Sequence, residues 1–431
     1  MYSDKNMRWI LVILASACLL MIPSQSKSQE VLTWSDCVAI TKESNPTLKS
    51  GQEKITQAKA DSKITLSGYL PNISASVSAK EQKTGVSISP YQSDLTKTFS
   101  YGITGKQLIF DGMKTPFDYE SSNSKTNEVK WQYRITSADV RKNVRTAFIQ
   151  LLSAQESVVI TKGIMERRKK NLELVALRYK AGREHRGSLM NAEANYAQSE
   201  YEYAQAGRSI LTAQSALCKE MGWKIFRPVK ASGELACMAP VKTDPDFDYL
   251  TSRHPAVLLS RQQVETAGYN IQSKAAGFSP FINAMFSVGK TDNRWPPEHD
   301  NWSVGIEATL PLFEGGKTYY DLSKSRSVYR QMQNDELANR EKIAHDLQQK
   351  WINLQNAVDL AGVQKKFVAA AEERAKITEA QYSIGLITFD VWSIIEDAFA
   401  QNQKNYLDSR INALTAEVNW EQAKGTAVEN E

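Results

Sequence analysis

The chain has 431 residues, room for two or three ordinary domains unless something extended or repeated is being built. Its 53 basic and 48 acidic residues leave a net charge of only +5. The basic side chains alternate with Asp and Glu rather than massing on one face, so nucleic-acid binding gains no support.

At the start of the chain, Lys5 and Arg8 precede an apolar run over 9–22, and Ser24, Ser26 and Ser28 offer small-residue cleavage sites. Residues 1–28 therefore read as a signal peptide, and the mature chain as exported. The apolar run, about 14 residues long, is short of the ~18 a membrane helix needs, and nothing later approaches that length. If the chain enters a membrane, it must cross as strands. Cys18, after Ala15, Ser16 and Ala17, weakly resembles a lipoprotein cleavage box, a less favoured processing site because the apolar run continues through Leu19 to Ile22. Beyond the signal peptide only Cys37, Cys218 and Cys237 remain, an odd number at no metal-like spacing, so no disulfide framework holds the protein.

From there the chain reads as two copies of one unit, 29–242 and 243–431. Asn45-Pro46 aligns with His254-Pro255, and Leu70-Pro71-Asn72-Ile73 with Ser279-Pro280-Phe281-Ile282, both at an offset of 209. From Phe110-Asp111-Gly112 against Phe313-Glu314-Gly315 the offset becomes 203, and it holds through Tyr179/Tyr382, Gly182/Gly385, Glu193/Glu396 and Tyr203/Tyr406. In chain order the first unit predicts a helix over 36–68, strands over 70–80 and 97–111, a helical hairpin over 118–221 and a Gly/Pro-containing insert over 222–242. The second predicts a helix over 246–278, strands over 279–291 and 301–314, a hairpin over 318–424 and a short polar tail.

The long helices carry apolar residues every seven positions: Val144, Leu151, Val158, Met165, Leu172 and Tyr179 in the first, Leu347, Leu354, Ala361, Val368, Ala375 and Tyr382 in the second. Such seams pack as coiled coils, whereas an ordinary amphipathic stripe drifts by ~20° per heptad. By length, 188–221 with 246–278, and 390–424 with 36–68, each predict a pair of short helices stacked end to end beside a long one. The strands alternate: Ile73, Ala75, Val77 and Ala79 on one face, Asn72, Ser74, Ser76 and Ser78 on the other. Phe99, Tyr101 and Ile103, Ile282, Ala284, Phe286 and Val288, and Trp302, Val304 and Ile306 repeat the apolar face. One face suits lipid and the other water, as in an outer-membrane barrel. Four strands cannot close a barrel, so closure must be shared between chains.

The tandem repeat, the strand exits Leu310-Pro311-Leu312-Phe313-Glu314-Gly315-Gly316 and Leu108-Ile109-Phe110-Asp111-Gly112, and the turn Tyr382-Ser383-Ile384-Gly385-Leu386-Ile387-Thr388 together resemble the TolC-like outer-membrane efflux family, over about residues 30–424. The resemblance implies a mainly α chain with a small membrane β-barrel: a homotrimer whose strands complete a twelve-stranded barrel in outer-membrane lipid above a long helical tube in the periplasm. It implies docking to a periplasmic adaptor and an inner-membrane pump, and export of drugs, toxic compounds or metal ions, or alternatively a duct for type I protein secretion. It further implies that the hairpin tips dock the adaptor, through Ala181 and Gly182 in the first and Ile384, Gly385, Leu386 and Thr388 in the second. At the first tip Arg183, Glu184, His185 and Arg186 replace the apolar residues.

The family's acidic ring beyond the second tip has Asp390 as its nearest carboxylate here, shifted from the usual position. Phe389 offers an apolar constriction instead, and Thr388 or Asp390 fits equally as a plain helix N-cap. Arg167, Arg168, Lys169 and Lys170 read first as a solvated coiled-coil face, with an acidic stripe on a partner as the functional alternative. His185, His254, His299 and His345 are scattered, and no phosphate loop, nucleophile elbow or paired-carboxylate motif appears, so neither an enzyme nor a cofactor or metal site is expected. A secreted coiled-coil scaffold would keep the heptads but has no use for lipid-compatible strands.

Overall fold

The structure, a computed structural model, describes residues 30–83, 95–236 and 244–430. The expected signal peptide, Cys18 and Cys237 lie outside the described residues. The first unit runs β1 (Glu30–Leu32), α1 (Trp34–Ser44), α2 (Pro46–Leu66), β2 (Asn72–Lys83), β3 (Leu95–Phe110), α3 (Lys114–Lys180) and α4 (Arg186–Met221). Strand β4 (Val229–Ala231) lies in the insert that closes the first unit, and the second runs α5 (Phe247–Arg253), α6 (Pro255–Ala275), β5 (Phe281–Asp292), β6 (His299–Thr309), α7 (Lys317–Ser383) and α8 (Phe389–Ala423). Helices α3 and α7 have 67 residues each, about 100 Å at 1.5 Å per residue.

Several expected elements change. The single helices expected over 36–68 and 246–278 are each split before a proline, which forces Asn45 and His254 into extended backbone. Each then caps the following helix: the Asn45 side-chain oxygen accepts from the Thr47 and Leu48 amides at 2.9 and 3.2 Å, and His254 Nδ1 accepts from the Ala256 amide at 3.2 Å. The insert supplies strand β4, which pairs in parallel with β1. Residues 310–313 leave the sheet, exposing Leu312 and Phe313. The tail does not stay in solvent. Val428 is buried, and the Glu429 carboxylate accepts from Tyr133 Oη at 2.8 Å and Ser137 Oγ at 2.5 Å on α3.

The short helices stack within a unit, not across units as their lengths had suggested. Gly222, at the end of α4, lies so close to the start of α2 that a Cβ there would come within 2.7 Å of Asn45 Cα, and the Asn45 side chain donates to Glu220 O at 2.7 Å. Gly425, after α8, has the same relation to α6, where a Cβ would fall 2.5 Å from Pro255 Cδ. The reason is geometric: the return arm of each hairpin comes back up to the level at which its own unit began. The 203-residue offset carries over to Gly222 and Gly425, a sequence signal available and not used. Above the junction α3 lies between α2 and α6, and below it between α4 and α8, while α7 packs on α6 and α8. A single chain is therefore a wall of alternating long and stacked short helices. Its largest core sits at the junction, around Cys37, Phe148, Leu151, Leu217, Met221 and Val229.

The heptad row of α7 is buried as expected at Leu347, Leu354, Ala361, Ala375 and Tyr382, with Val368 half-buried. On α3 the row is corrected. Val144 and Leu151 are buried, but Val158, Met165 and Leu172 are half-buried and Tyr179 is exposed. The buried row is Ala147, Ala154, Thr161, Arg168 and Val175, also at seven-residue spacing. Helix α3 has packed neighbours on two sides below the junction, so a second row is needed to face α8.

His254 makes the second junction acid-sensitive. Burial holds its imidazole below the usual histidine range, against the opposing pull of Asp346 and the Ala423 backbone. The capping Nδ1 must be unprotonated to accept. A histidine whose folded value is depressed contributes stability that is present above its unfolded value near 6.5 and is lost as pH falls through that value toward the folded one. Thermal stability should therefore drop between pH 7 and pH 5 by more in the wild type than in His254→Asn, which restores the asparagine cap of the first unit. Parallel melting points at the two pH values check this, and equal losses would count against it.

The four strands form one antiparallel sheet in the order β2-β3-β5-β6. Register places Ala75 opposite Ile103, Ile103 opposite Val288 and Val288 opposite Trp302, so the apolar residues share one face. Hydroxyls meet on the other, with Ser74–Thr104 at 2.9 Å, Ser78–Ser100 at 2.8 Å and Ser287–Ser303 at 3.0 Å. The apolar face carries no charge from Ile73 to Ala79 or from Trp302 to Ala308. At the hairpin end, beyond Ala79 and Trp302, it gives way to the ion pairs Glu81–Lys97 and Lys290–Asp300. Phe99 and Trp295 meet edge to face at that same end. Within the sheet, Trp302 to Thr309 is about 23 Å of strand, which at a ~40° tilt spans about 18 Å, most of the ~25 Å apolar band of an outer-membrane barrel.

Candidate functional site: the hairpin tips

Both long helices end on the same hydrogen-bonded turn. At the first, Arg183 N–H donates to Arg178 O at 2.9 Å and Gly182 N–H to Tyr179 O at 3.0 Å; at the second, Leu386 N–H donates to Gln381 O at 2.9 Å and Gly385 N–H to Tyr382 O at 3.0 Å. This is a Schellman cap, and its pivot residue must be left-handed. Gly182 and Gly385 supply φ of 69° and 84°. The aromatic-x-x-Gly pattern is thus explained by the cap, with the glycine as the αL residue and the aromatic in the last turn.

The two aromatics play different parts. Tyr179 is exposed, whereas Tyr382 is fully buried, stacked on Trp392 at 4.3 Å with Phe389 edge-on to both. Val175 and Ala192 of the first hairpin complete that cluster. Polar links cross the same seam. Arg178 lies over the Tyr382 ring at 4.6 Å and donates through Nη1 to Tyr382 O at 2.7 Å, a second donor to the carbonyl that already accepts from Gly385, and to Ser383 O at 3.4 Å. Tyr382 Oη donates to Glu184 Oε2 at 2.8 Å. Burial opposes ionisation of Glu184, but the hydroxyls of Tyr382 and Ser188 with the His185 amide outweigh it and hold the carboxyl below its usual range. Burial, then the Glu184 carboxylate, pushes the Tyr382 phenol up.

The expected site residues fall as follows. Ala181, Gly182, Ile384, Gly385, Leu386 and Thr388 are all exposed, with Ile384 73% and Leu386 70% accessible, and lie on the two tips of one chain. Thr388 occupies the N-cap of α8 in extended backbone but makes no capping hydrogen bond. Asp390 is in the first turn of α8 and exposed, so it is not the cap. Phe389 is buried among Tyr382 and Trp392 inside its own chain, which leaves Asp390 as the side chain of that pair available to a mouth. The basic cluster also differs from a solvated face. Arg168 is buried and paired with Asp397, Arg167 donates to Gln403 Oε1 at 2.8 Å and covers Phe399, and only Lys169 and Lys170 face solvent. Glu396, buried nearby, is pushed up by desolvation against the opposing Arg167 and Arg168. The sequence signal for these crossings was weak: Glu193 and Glu396 align at the 203 offset, but only Glu396 faces the arginines.

The profile of the family described as outer membrane efflux protein matches residues 39–222 and 248–426. The chain is 22% identical over 373 residues to the outer membrane efflux protein BepC of Brucella suis, covering 84% of this chain and 78% of that one. It is 21% identical over 278 residues to the alkaline protease secretion protein AprF of Pseudomonas aeruginosa, covering 60% and 57%. Among solved structures, the CmeC outer membrane channel of Campylobacter jejuni superposes with a TM-score of 0.79 at 16% identity, over 91% of this chain and 85% of that one.

Proposed function

The chain belongs to the outer membrane efflux protein family, and from that premise we propose that three copies close a twelve-stranded barrel in the outer membrane and a helical tube beneath it, through which an inner-membrane pump and periplasmic adaptor drive small molecules out of the cell. The observation that carries this reading is the sheet: one face is apolar and free of charge from Ile73 to Ala79 and from Trp302 to Ala308, and β2 and β6 each have an unpaired edge. An open edge in lipid leaves backbone groups unsatisfied, at several kcal/mol each, so the edges must meet those of other copies. The two tips at the far end of α3 and α7, about 100 Å from the sheet, supply the exposed turn on which an adaptor docks.

Mass measurement in mild detergent should give three copies. A monomer would sink the proposal. A second reading, a duct for protein secretion, draws on the likeness to AprF. Deleting the gene and following a small-molecule dye and the secreted proteins in the same cells separates the two: dye retention supports efflux, and loss of a secreted protein with unchanged dye export supports secretion.

A further inference from the structure

The hydroxyl-bearing face of the sheet is not neutral. Register puts Lys80 opposite Thr98, next along from the Ser78–Ser100 pair, and Lys106 opposite Asn72 and Met285, so both lysines share the face of Ser74, Thr104 and Ser287. Glu307, opposite Asn283, is the one carboxylate that register places on that face among the described strand residues. His299, at its outer end, is hydrogen-bonded to Asp292 at 2.6 Å. The contrast with the opposite face is sharp. There Lys97 is paired with Glu81 at 3.6 Å and Lys290 with Asp300 at 3.4 Å, whereas no carboxylate among the described residues pairs with Lys80 or Lys106. Lys106 Nζ instead lies 5.7 Å from the centre of the Phe281 ring.

We propose that the barrel exit favours anionic solutes, carboxylates or phosphates, because Lys80 and Lys106 ring its lumen. This rests on the three-copy barrel proposed above, in which six ammonium groups face three carboxylates. At the level of Lys106 the Glu307 carboxylates offset part of the charge; at the level of Lys80, toward the hairpin end, register places no carboxylate of the described strands on that face, and Asp292, opposite Phe99 on the other face, is engaged by His299 and the Asn293 amide. Twelve strands 4.8 Å apart and tilted ~40° make a barrel of about 12 Å backbone radius. A lysine side chain reaching roughly 6 Å inward leaves its ammonium about 6 Å from the axis, within the ~8 Å Debye length at physiological salt. Any ion leaving the pore therefore passes within the unscreened field of all three Lys80 groups, and a ring of one sign selects for the other. Asp390, the exposed carboxylate of the second tip, lies the length of α7 away, about 100 Å, and is screened from this region.

The test uses the purified full-length protein in planar bilayers of neutral lipid under a KCl gradient, reading the chloride-to-potassium permeability ratio from the zero-current potential. The ratio should fall about twofold or more in K80Q and further in K80E, and less in K106Q. K97Q, which removes an equal charge from the lipid-side face, should leave it unchanged. In 1 M salt, where the Debye length is about 3 Å, the differences should collapse. Equal ratios for wild type, K80Q and K80E in a conducting channel would overturn the proposal while leaving the barrel standing. A shift in K97Q with none in K80Q would mean that the faces are exchanged, and would overturn both.

Discussion

Gly385→Arg should abolish export of a pump substrate while leaving the trimer in the outer membrane at its normal level. Gly385 is the left-handed pivot of the second tip, at φ 84°, and the only group near its absent Cβ is Arg178 Nη2 at 3.7 Å. A side chain there carries a backbone penalty of roughly 1 to 2 kcal/mol, confined to a turn about 100 Å from the sheet through which the copies are proposed to meet. An arginine adds bulk to the bare turn on which the adaptor is proposed to dock, and a second positive charge beside Arg178. Gly385→Asn separates these effects, since asparagine tolerates the left-handed region and is uncharged; it should retain most export. Gly182 has nothing within 4 Å of its missing Cβ, and its neighbours Arg183 and Arg186 already present bulk and charge, so Gly182→Arg should cost less. Trimer amount and export are to be measured in the same cells. If both are lost, Gly385 is only a folding turn; if both persist, docking lies elsewhere.

Ile306→Lys should destabilise the assembled protein by roughly 2 to 4 kcal/mol, the depth-dependent cost of a lysine near the bilayer midplane. Ile306 pairs with Ala284 on the apolar face, between Trp302 at the aromatic end and the exit at Leu310, and is 74% exposed in the single chain. Ser303→Lys, three residues away, should be tolerated. Ser303 faces the other way and gives up one hydroxyl contact with Ser287 in a face that already holds Lys80 and Lys106. Heat stability of the detergent-extracted trimer and its yield in outer membranes measure both. Comparable losses for the two variants would show that the sheet faces are wrongly assigned.

The sequence alone determined the features that repeat at short range or in tandem. Period-two alternation set the two faces of every strand, because a residue's side in a strand depends only on its parity. The aromatic-x-x-Gly pairs marked the ends of α3 and α7, because a Schellman cap needs a left-handed residue at one position and glycine supplies it at least cost. The 203-residue offset revealed two units. Tertiary structure alone decided which surfaces meet. The α3 seam moved to Ala147, Ala154, Thr161, Arg168 and Val175 because α8 packs on a side of that helix its own periodicity does not announce. Tyr179 and Tyr382, equivalent in the repeat, ended exposed and buried because Trp392 and Arg178 reach only the second. Arg167 and Arg168 left the solvent for Gln403 and Asp397, partners more than 200 positions away that no local pattern can point to. Helix lengths permitted stacking both within and across units; close approach at Gly222 and Gly425 chose the former, since only glycine lets the two backbones come that near.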